Sequence, residues 1–377
     1  MKKVIHIAED MAFTGGGVAS AIRELANNCT FPDLQHEIVT TTPEKSLIPG
    51  IHVPVVSLKT SLIGGQWKYP LNWRGIFQGG ALNRNSVVHI HGIWKAPQFL
   101  AAQYFSRQKI PTILSPHNML GDWFWRGFFK KWKKTVYWGL VKGKFNRVNV
   151  LHALSQQEKV KLNPFFPGKK IEVIPNGIQL EEMDEDVFLQ EKIPGKNYLL
   201  FLGRLHPVKG IERIIESYSQ IKKENRMPLK IAGPAPSIRY HSFLKELVKK
   251  FGVENEIEFL GPIYGLEKWN LLKKAWALCA PSYSEGISMS VLEALGCGVP
   301  VISTPNCGID DLEKGGGILV SGNSSDLRAA IEGTISWTKE KRAARARQAR
   351  IYAKKNYSWE TLKTKYQQFY SEVSGEK

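Results

Sequence analysis

The chain has 377 residues, of which 43% are hydrophobic and 11% aromatic; this is enough apolar side chain for two cores and excludes a disordered or fibrous class. Its 4 cysteines lack C-x-x-C spacing, which excludes a disulfide scaffold and argues against zinc, and no run of roughly 18 apolar residues is present to span a membrane. The net charge of +18 is uneven: residues 1–180 hold 23 Lys and Arg against 9 Asp and Glu, a net of +14, and residues 181–377 supply the other +4.

In chain order, MKKVIHIAED reads as a first strand over Val4–Ala8, too short in its apolar stretch for a secretory signal. Gly15, Gly16 and Gly17 follow and allow close backbone approach to a ligand at the first strand-to-helix turn, although the pattern is not G-x-G-x-x-G. Further strands are predicted at His36–Thr40, Val87–His91, Thr112–Ser115 and Val148–Ala153. His89 and His91 share one strand face. With no carboxylate or cysteine beside them in the sequence to complete a metal set, they read as polar strand-end residues lining a cleft. His117 lies between Pro116 and Asn118 in the loop after the fourth strand.

The excess charge centres on residues 121–149, which carry 8 Lys or Arg, 1 Asp and 9 aromatics. Trp123, Trp125, Phe128, Phe129 and Trp132, flanked by Lys130, Lys131, Lys133 and Lys134, form the pattern that an anionic membrane interface favours, with rings among headgroups and cations on lipid phosphates. Nucleic acid is not expected as a partner, because no nucleic-acid-binding module is recognisable.

An acidic, proline-bearing stretch, Gln179–Gly195, is the linker candidate, and a second strand series follows: Tyr198–Leu202, Leu229–Ala232, Ile257–Leu260, Ala275–Ala280 and Val299–Ser303. The first of these ends in Gly203, after which Arg204 and Lys209 project from one strand-to-helix loop. Two cations there could neutralise a diphosphate without metal, arginine by a fork and lysine as a point charge. After the fourth strand, Glu285 sits in a turn of small residues, and Glu293 follows on a helix whose start would welcome an anion. Two carboxylates so spaced can grip two parts of one polyhydroxylated ligand. The basic stretch 338–350 reads as a solvated helix.

FLGRLHPVKGI, KIAGP, FLGPI and SEGISMSVLEALGCGVPVI, together with TGGGV, SPHNML, LHALSQQE and VIPNGI, occur in the order and at the places that resemble the retaining glycosyltransferase family 4 (group 1 glycosyltransferases). The resemblance spans nearly the whole chain. It implies an α/β chain of the GT-B fold, two doubly wound Rossmann-like domains facing a central cleft. Residues 1–180 would form the acceptor-side domain, joined by a crossing C-terminal helix at about 358–377, and residues 181–357 the nucleotide-sugar domain. It further implies a metal-independent hexosyltransferase with no cofactor, using a UDP- or GDP-sugar.

By the same resemblance Arg204 and Lys209 stabilise the leaving diphosphate, Glu285 contacts the donor sugar, Glu293 the ribose, and His117 the sugar on the acceptor side. Gly16, Gly17, Gly203, Gly233, Ile263, Gly286, Ile287 and Ser288 line the donor, with the backbone near Ile263 meeting the base. The residues after Glu285, Gly-Ile-Ser-Met-Ser, and Asn118 depart from common family choices, so sugar identity stays open. The basic aromatic patch suggests a lipid-linked saccharide acceptor in surface polysaccharide or lipopolysaccharide synthesis, and a cytoplasmic protein peripheral on the inner face of the membrane. The alternatives are a nucleotide-sugar epimerase of the same fold and a catalytically silent membrane-associated assembly partner.

Overall fold

The computed structural model describes residues 2–61, 67–71, 73, 86–125, 128–180 and 198–375, without the side chains at 14, 124 and 128–131. From residue 181 onward, the expected linker lies outside the described residues. The chain divides into two compact units, residues 1–177 with 359–377, and residues 178–358.

The first unit is built on a parallel sheet of β1 (Lys2–Ala8), β2 (Leu34–Thr40), β3 (Val55–Ser57), β4 (Val87–His91), β5 (Thr112–Ser115), β6 (Val150–Ala153) and β7 (Ile171–Val173), in the order β3-β2-β1-β4-β5-β6-β7. The connections include α1 (Gly16–Asn28), α2 (Ala96–Arg107), α3 (Phe128–Phe145) and α4 (Gln156–Leu162). The second unit has β8 (Leu199–Leu202), β9 (Leu229–Ala232), β10 (Ile257–Gly261), β11 (Ala277–Ala280), β12 (Val301–Ser303) and β13 (Ile318–Leu319), in the parallel order β10-β9-β8-β11-β12-β13. Its helices are α5 (Ile211–Ser219), α6 (Ile238–Lys250), α7 (Gly265–Lys274), α8 (Met289–Gly296), α9 (Ser324–Ile335) and α10 (Lys339–Tyr357). The last helix, α11 (Trp359–Ser374), belongs to the first unit, where Leu362, Tyr366, Phe369 and Tyr370 pack against β-strand residues Val4, Val87, Ile113 and Val150.

Each sheet is an open doubly wound one whose strand order reverses once, between β1 and β4 in the first unit and between β8 and β11 in the second. Ligands of such sheets bind outside the carboxyl ends of the strands at that reversal. In the second unit those ends carry Gly203 and Arg204 after β8 and Pro281–Glu285 after β11.

Backbone crowding fixes the first of these ends. A Cβ on Gly233, whose φ is 142°, would lie 1.9 Å from the Gly203 carbonyl oxygen. Gly233→Ala therefore combines a disfavoured backbone conformation with a collision that no side-chain rotation relieves. It is expected to destabilise the second unit by about 3 kcal/mol or more, read as a lowered urea midpoint.

The basic segment 338–350 forms most of α10, but it is not solvated throughout. Arg342 is buried, and its guanidinium donates to the carbonyls of Ala275 at 2.9 Å and Trp276 at 3.1 Å. Those carbonyls precede β11 and need donors, which an arginine on the packed helix face provides.

Candidate functional site

In the second unit, the loop after β8 and the loop after β11 are tied to each other. The Tyr283 amide donates to the Val208 carbonyl at 2.8 Å, and a Cβ on Gly210 would stand 2.4 Å from the Pro281 carbonyl oxygen. Lys209 and Glu285, 76 positions apart, meet across this junction: Lys209 Nζ is 2.5 Å from Glu285 Oε1, and Ser282 Oγ donates to the same oxygen at 2.9 Å. Gly308 allows the turn to close, since a Cβ there would lie 2.1 Å from the Gly286 carbonyl oxygen. Arg204 is exposed and forms no hydrogen bond or ion pair among the described residues.

Helix α8 begins at Met289 with Ser288 as its N-cap, and the Ser288 side chain does not cap it. Ser288 and Ile287 are buried, and the Ser288 amide donates to the Cys307 carbonyl at 2.8 Å. Glu293 lies on the second turn of α8, where Lys268 of α7 reaches its Oε1 at 2.9 Å. Both carboxylates singled out in the sequence are thus held by lysines in partly buried positions. Lys268 was not legible as a partner; only its neighbour Trp269, whose ring it covers at 4.1 Å, marks it in the sequence. Ile263 is half-buried in the loop between β10 and α7.

The remaining candidates belong to the first unit. Gly16 has φ 58° at the start of α1, whereas Gly17 is exposed, and a Cβ there would meet nothing within 4 Å. The glycine that close packing demands is Gly15, where a Cβ would stand 2.6 Å from the Asp10 carbonyl oxygen. His117 follows β5 with φ 52°, and Asn118 has φ 57°. Glu158, on α4, pins this strained loop: its carboxylate accepts from the Asn118 amide and from the Leu154 amide, the latter at 2.8 Å. Burial raises the Glu158 pKa. Its partners lie 40 and 4 residues away, a pairing that no sequence periodicity signals.

His89 and His91 are not at an open strand end. They are buried, with exposures of 0% and 3%, and bonded to other side chains in the layer between the first sheet and its helices. The alternation that gives them one face also points His6, His36, Ser115 and His152 to that face, so the polar layer spans β2, β1, β4, β5 and β6.

In α3, part of the aromatic excess is core rather than interface. Tyr137, Trp138 and Phe145 are buried, and Trp125 stacks on Phe165 at 5.8 Å while its Nε1 donates to the Leu120 carbonyl. Trp132, Val136 and Leu140 recur every four residues on the opposite face and are 63%, 47% and 73% exposed. Lys133 is exposed beside them, Trp123 is half-buried, and Lys134 Nζ sits 5.2 Å from the Trp94 ring centroid. The side chains of Phe128, Phe129, Lys130 and Lys131 lie outside the described residues. Among the described residues, no helix is long and apolar enough to cross a membrane.

Residues 183–356 match the family model described as glycosyl transferases group 1, and residues 15–182 match the model for glycosyltransferase family 4. An uncharacterized glycosyltransferase of Methanocaldococcus jannaschii is 27% identical over 241 residues, covering 61% of this chain and 60% of that protein. The alpha-monoglucosyldiacylglycerol synthase of Streptococcus pneumoniae is 26% identical over 261 residues, covering 65% of this chain and 56% of the synthase. The chain therefore matches somewhat more than half the length of these relatives. Among solved structures, Anabaena HepE in complex with UDP-glucose superposes with a TM-score of 0.77 at 18% identity, covering 98% of this chain and 99% of that one. This likeness identifies the two parallel-sheet units as the GT-B fold.

Proposed function

We propose, for a chain whose two halves match the family 4 and the group 1 glycosyltransferase models, transfer of a sugar from a nucleoside-diphosphate sugar to an acceptor hydroxyl, with retention at the anomeric carbon. The observation that carries this reading is the set of charges at the strand-order reversal of the second unit: the exposed cation Arg204 together with the Lys209–Glu285 pair. A departing diphosphate gains negative charge as the glycosidic bond breaks. Cations already fixed beside it stabilise that charge without reorganising, usually the largest catalytic term. Arg204 offers a fork and Lys209 a point charge, and the N-terminus of α8, where the Ser288 side chain makes no cap, adds the positive end of its helix dipole.

Glu285, held in place by Lys209 and Ser282, is assigned the donor-sugar hydroxyls, and Glu293 the ribose hydroxyls. The backbone near Ile263 is assigned the base, and Gly203, Gly233, Gly286, Ile287 and Ser288 the walls of the donor site. In the first unit, His117 is assigned a sugar hydroxyl, and Gly16 and Gly17 the backbone approach to the ligand. The reaction is proposed to need no metal. The test is product analysis: purified protein is incubated with UDP- and GDP-sugars and a lipid extract, and the products are resolved by mass spectrometry. Transfer to a lipid acceptor with release of one nucleoside diphosphate supports the reading. An epimerised donor without transfer favours an epimerase, and no conversion of any donor favours a silent assembly partner.

The acceptor is proposed to be a lipid-linked saccharide in polysaccharide or lipopolysaccharide synthesis, met at the inner face of the membrane, as the exposed Trp132–Val136–Leu140 stripe beside Lys133 suggests. Binding should require anionic lipid and weaken with salt. Each lysine near such a surface contributes about 1 kcal/mol, so replacing Lys130, Lys131, Lys133 and Lys134 by glutamine is expected to release the protein from phosphatidylserine-containing vesicles. Nucleotide-sugar binding should not change. Undiminished flotation of the variant, or none by the wild type, would remove this acceptor assignment.

A further inference from the structure

The buried polar layer of the first unit contains a chain of four imidazoles. His36 Nε2 bonds the Cys29 carbonyl at 3.0 Å, and His36 Nδ1 meets His6 Nε2 at 2.8 Å. His6 Nδ1 meets His91 Nε2 at 2.9 Å, and His91 Nδ1 meets His117 Nε2 at 3.0 Å. The proton positions follow from one fact: a carbonyl oxygen only accepts. His36 must therefore carry its proton on Nε2 and, as a neutral ring, accept at Nδ1. That makes His6 a donor at Nε2, which in turn makes His91 and then His117 donors at Nε2. The four bonds consume four N–H groups, which is what four neutral rings supply.

No proton remains for Nδ1 of His117, the one ring nitrogen of the chain without a hydrogen-bond partner among the described residues. Burial lowers the pKa of all four rings, to about 4 for His36 and about 3 for His117, in keeping with neutral imidazoles.

We infer that His36, His6 and His91 are positioning residues that lock His117 as the Nε2–H tautomer and present its bare Nδ1 as a hydrogen-bond acceptor for a ligand hydroxyl. The chain is a lock rather than a proton conduit, since its far end stops at a carbonyl that cannot take up a proton. A second line in the same layer buttresses it. Tyr370 Oη donates to His89 Nδ1 at 3.0 Å, His89 Nε2 to Ser115 Oγ at 2.6 Å, Ser115 Oγ to His152 Nδ1 at 2.7 Å, and His152 Nε2 to the Ile174 carbonyl at 2.8 Å. Nitrogens of His6, His89 and His91 lie within 4.8 Å of one another, near enough for a shared metal ion. Both nitrogens of each ring are already engaged in these bonds, so a metal would have to break the lock.

The tautomer half of this inference does not depend on glycosyl transfer, whereas the ligand half rests on that reading. The test is long-range proton–nitrogen correlation NMR on the full chain labelled with ¹⁵N-histidine, first with no ligand and with rings assigned by single substitutions. All four rings should show a protonated Nε2 and a bare Nδ1. His91→Asn places an amide oxygen near the former Nδ1 and should preserve the His117 tautomer, whereas His91→Phe should release it into a mixture.

A proton on His117 Nδ1 in the wild type, a pure Nε2–H signal in folded His91→Phe, or stoichiometric Zn²⁺ uptake with loss of the four-ring pattern would overturn the lock. If His91→Phe does not fold, the wild-type spectrum decides alone. Saturating UDP-glucose and GDP-mannose are then added as probes, and one of them should shift His117 Nδ1. Turnover of a donor without that shift would overturn the ligand half and leave the tautomer result standing.

Discussion

Arg204→Ala is expected to lower the rate of glycosyl transfer by about a hundredfold or more, the usual cost of removing one preorganised charge from a leaving group. Arg204 is exposed and makes no bond to the rest of the described protein, so its melting temperature should stay at the wild-type value. Lys209→Ala should cost at least as much in turnover and should also lower stability, because it strips the partner from a Glu285 carboxylate whose side chain is only 14% exposed. The two variants therefore separate charge stabilisation from scaffolding. If the diphosphate is neutralised by these side chains, EDTA leaves the rate unchanged. Near wild-type rates in both variants, or loss of activity to chelator with recovery on adding Mg²⁺, would refute the assignment.

Acid should unfold the first unit before the second. His6, His36, His89, His91 and His152 are at most 3% exposed, and burial holds each below its ordinary pKa, His36 and His152 at about 4. An imidazole with a lowered folded pKa binds fewer protons in the native state than in the unfolded one. Its contribution is therefore complete above the unfolded value near 6.5 and is lost as pH falls toward the folded value. The slope is about 1.4 kcal/mol per pH unit for each ring.

Five rings together lose, within one to two pH units, an amount comparable to the roughly 5–15 kcal/mol that holds a typical domain. Burial raises the carboxyls of Glu9 and Glu158, which act in the opposite sense but are only two groups. Urea titrations at pH 7.5 and pH 5.5 should show the first unit's transition moving to much lower denaturant while the second, which holds only His206 and His241, moves little. Equal sensitivity of the two transitions would mean that the buried layer is open to water.

The alternation of apolar strands and helices was legible in the sequence because parallel strands buried on both faces leave uninterrupted runs such as Tyr198–Leu202 and Ala275–Ala280. The short strands Val55–Ser57, Ile171–Val173 and Ile318–Leu319 were not, since two or three residues carry no periodicity. Arg204, Lys209 and Glu285 could be placed near strand ends by turn residues alone, and Glu293 on the helix that follows. Their ion-pair partners could not, because Lys209–Glu285 and Lys268–Glu293 join residues 76 and 25 positions apart.

The division of the α3 aromatics between two faces was not legible either. Counting rings does not reveal which face packs, and Tyr137, Trp138 and Phe145 go inward while Trp132 does not. His89 and His91 were visible as a shared face, but the side chains that engage them come from β1, β5 and α11 and from the loop after β5, so only the folded sheet shows a buried network.

The most direct measurement is a ³¹P NMR titration of UDP and of GDP, in EDTA, against wild type, Arg204→Ala and Lys209→Ala. The account predicts saturable binding of one nucleotide to the wild type with a displaced β-phosphorus resonance, and loss of that displacement in both variants. An unperturbed β-phosphorus in the wild type, or the same displacement in all three proteins, would contradict it.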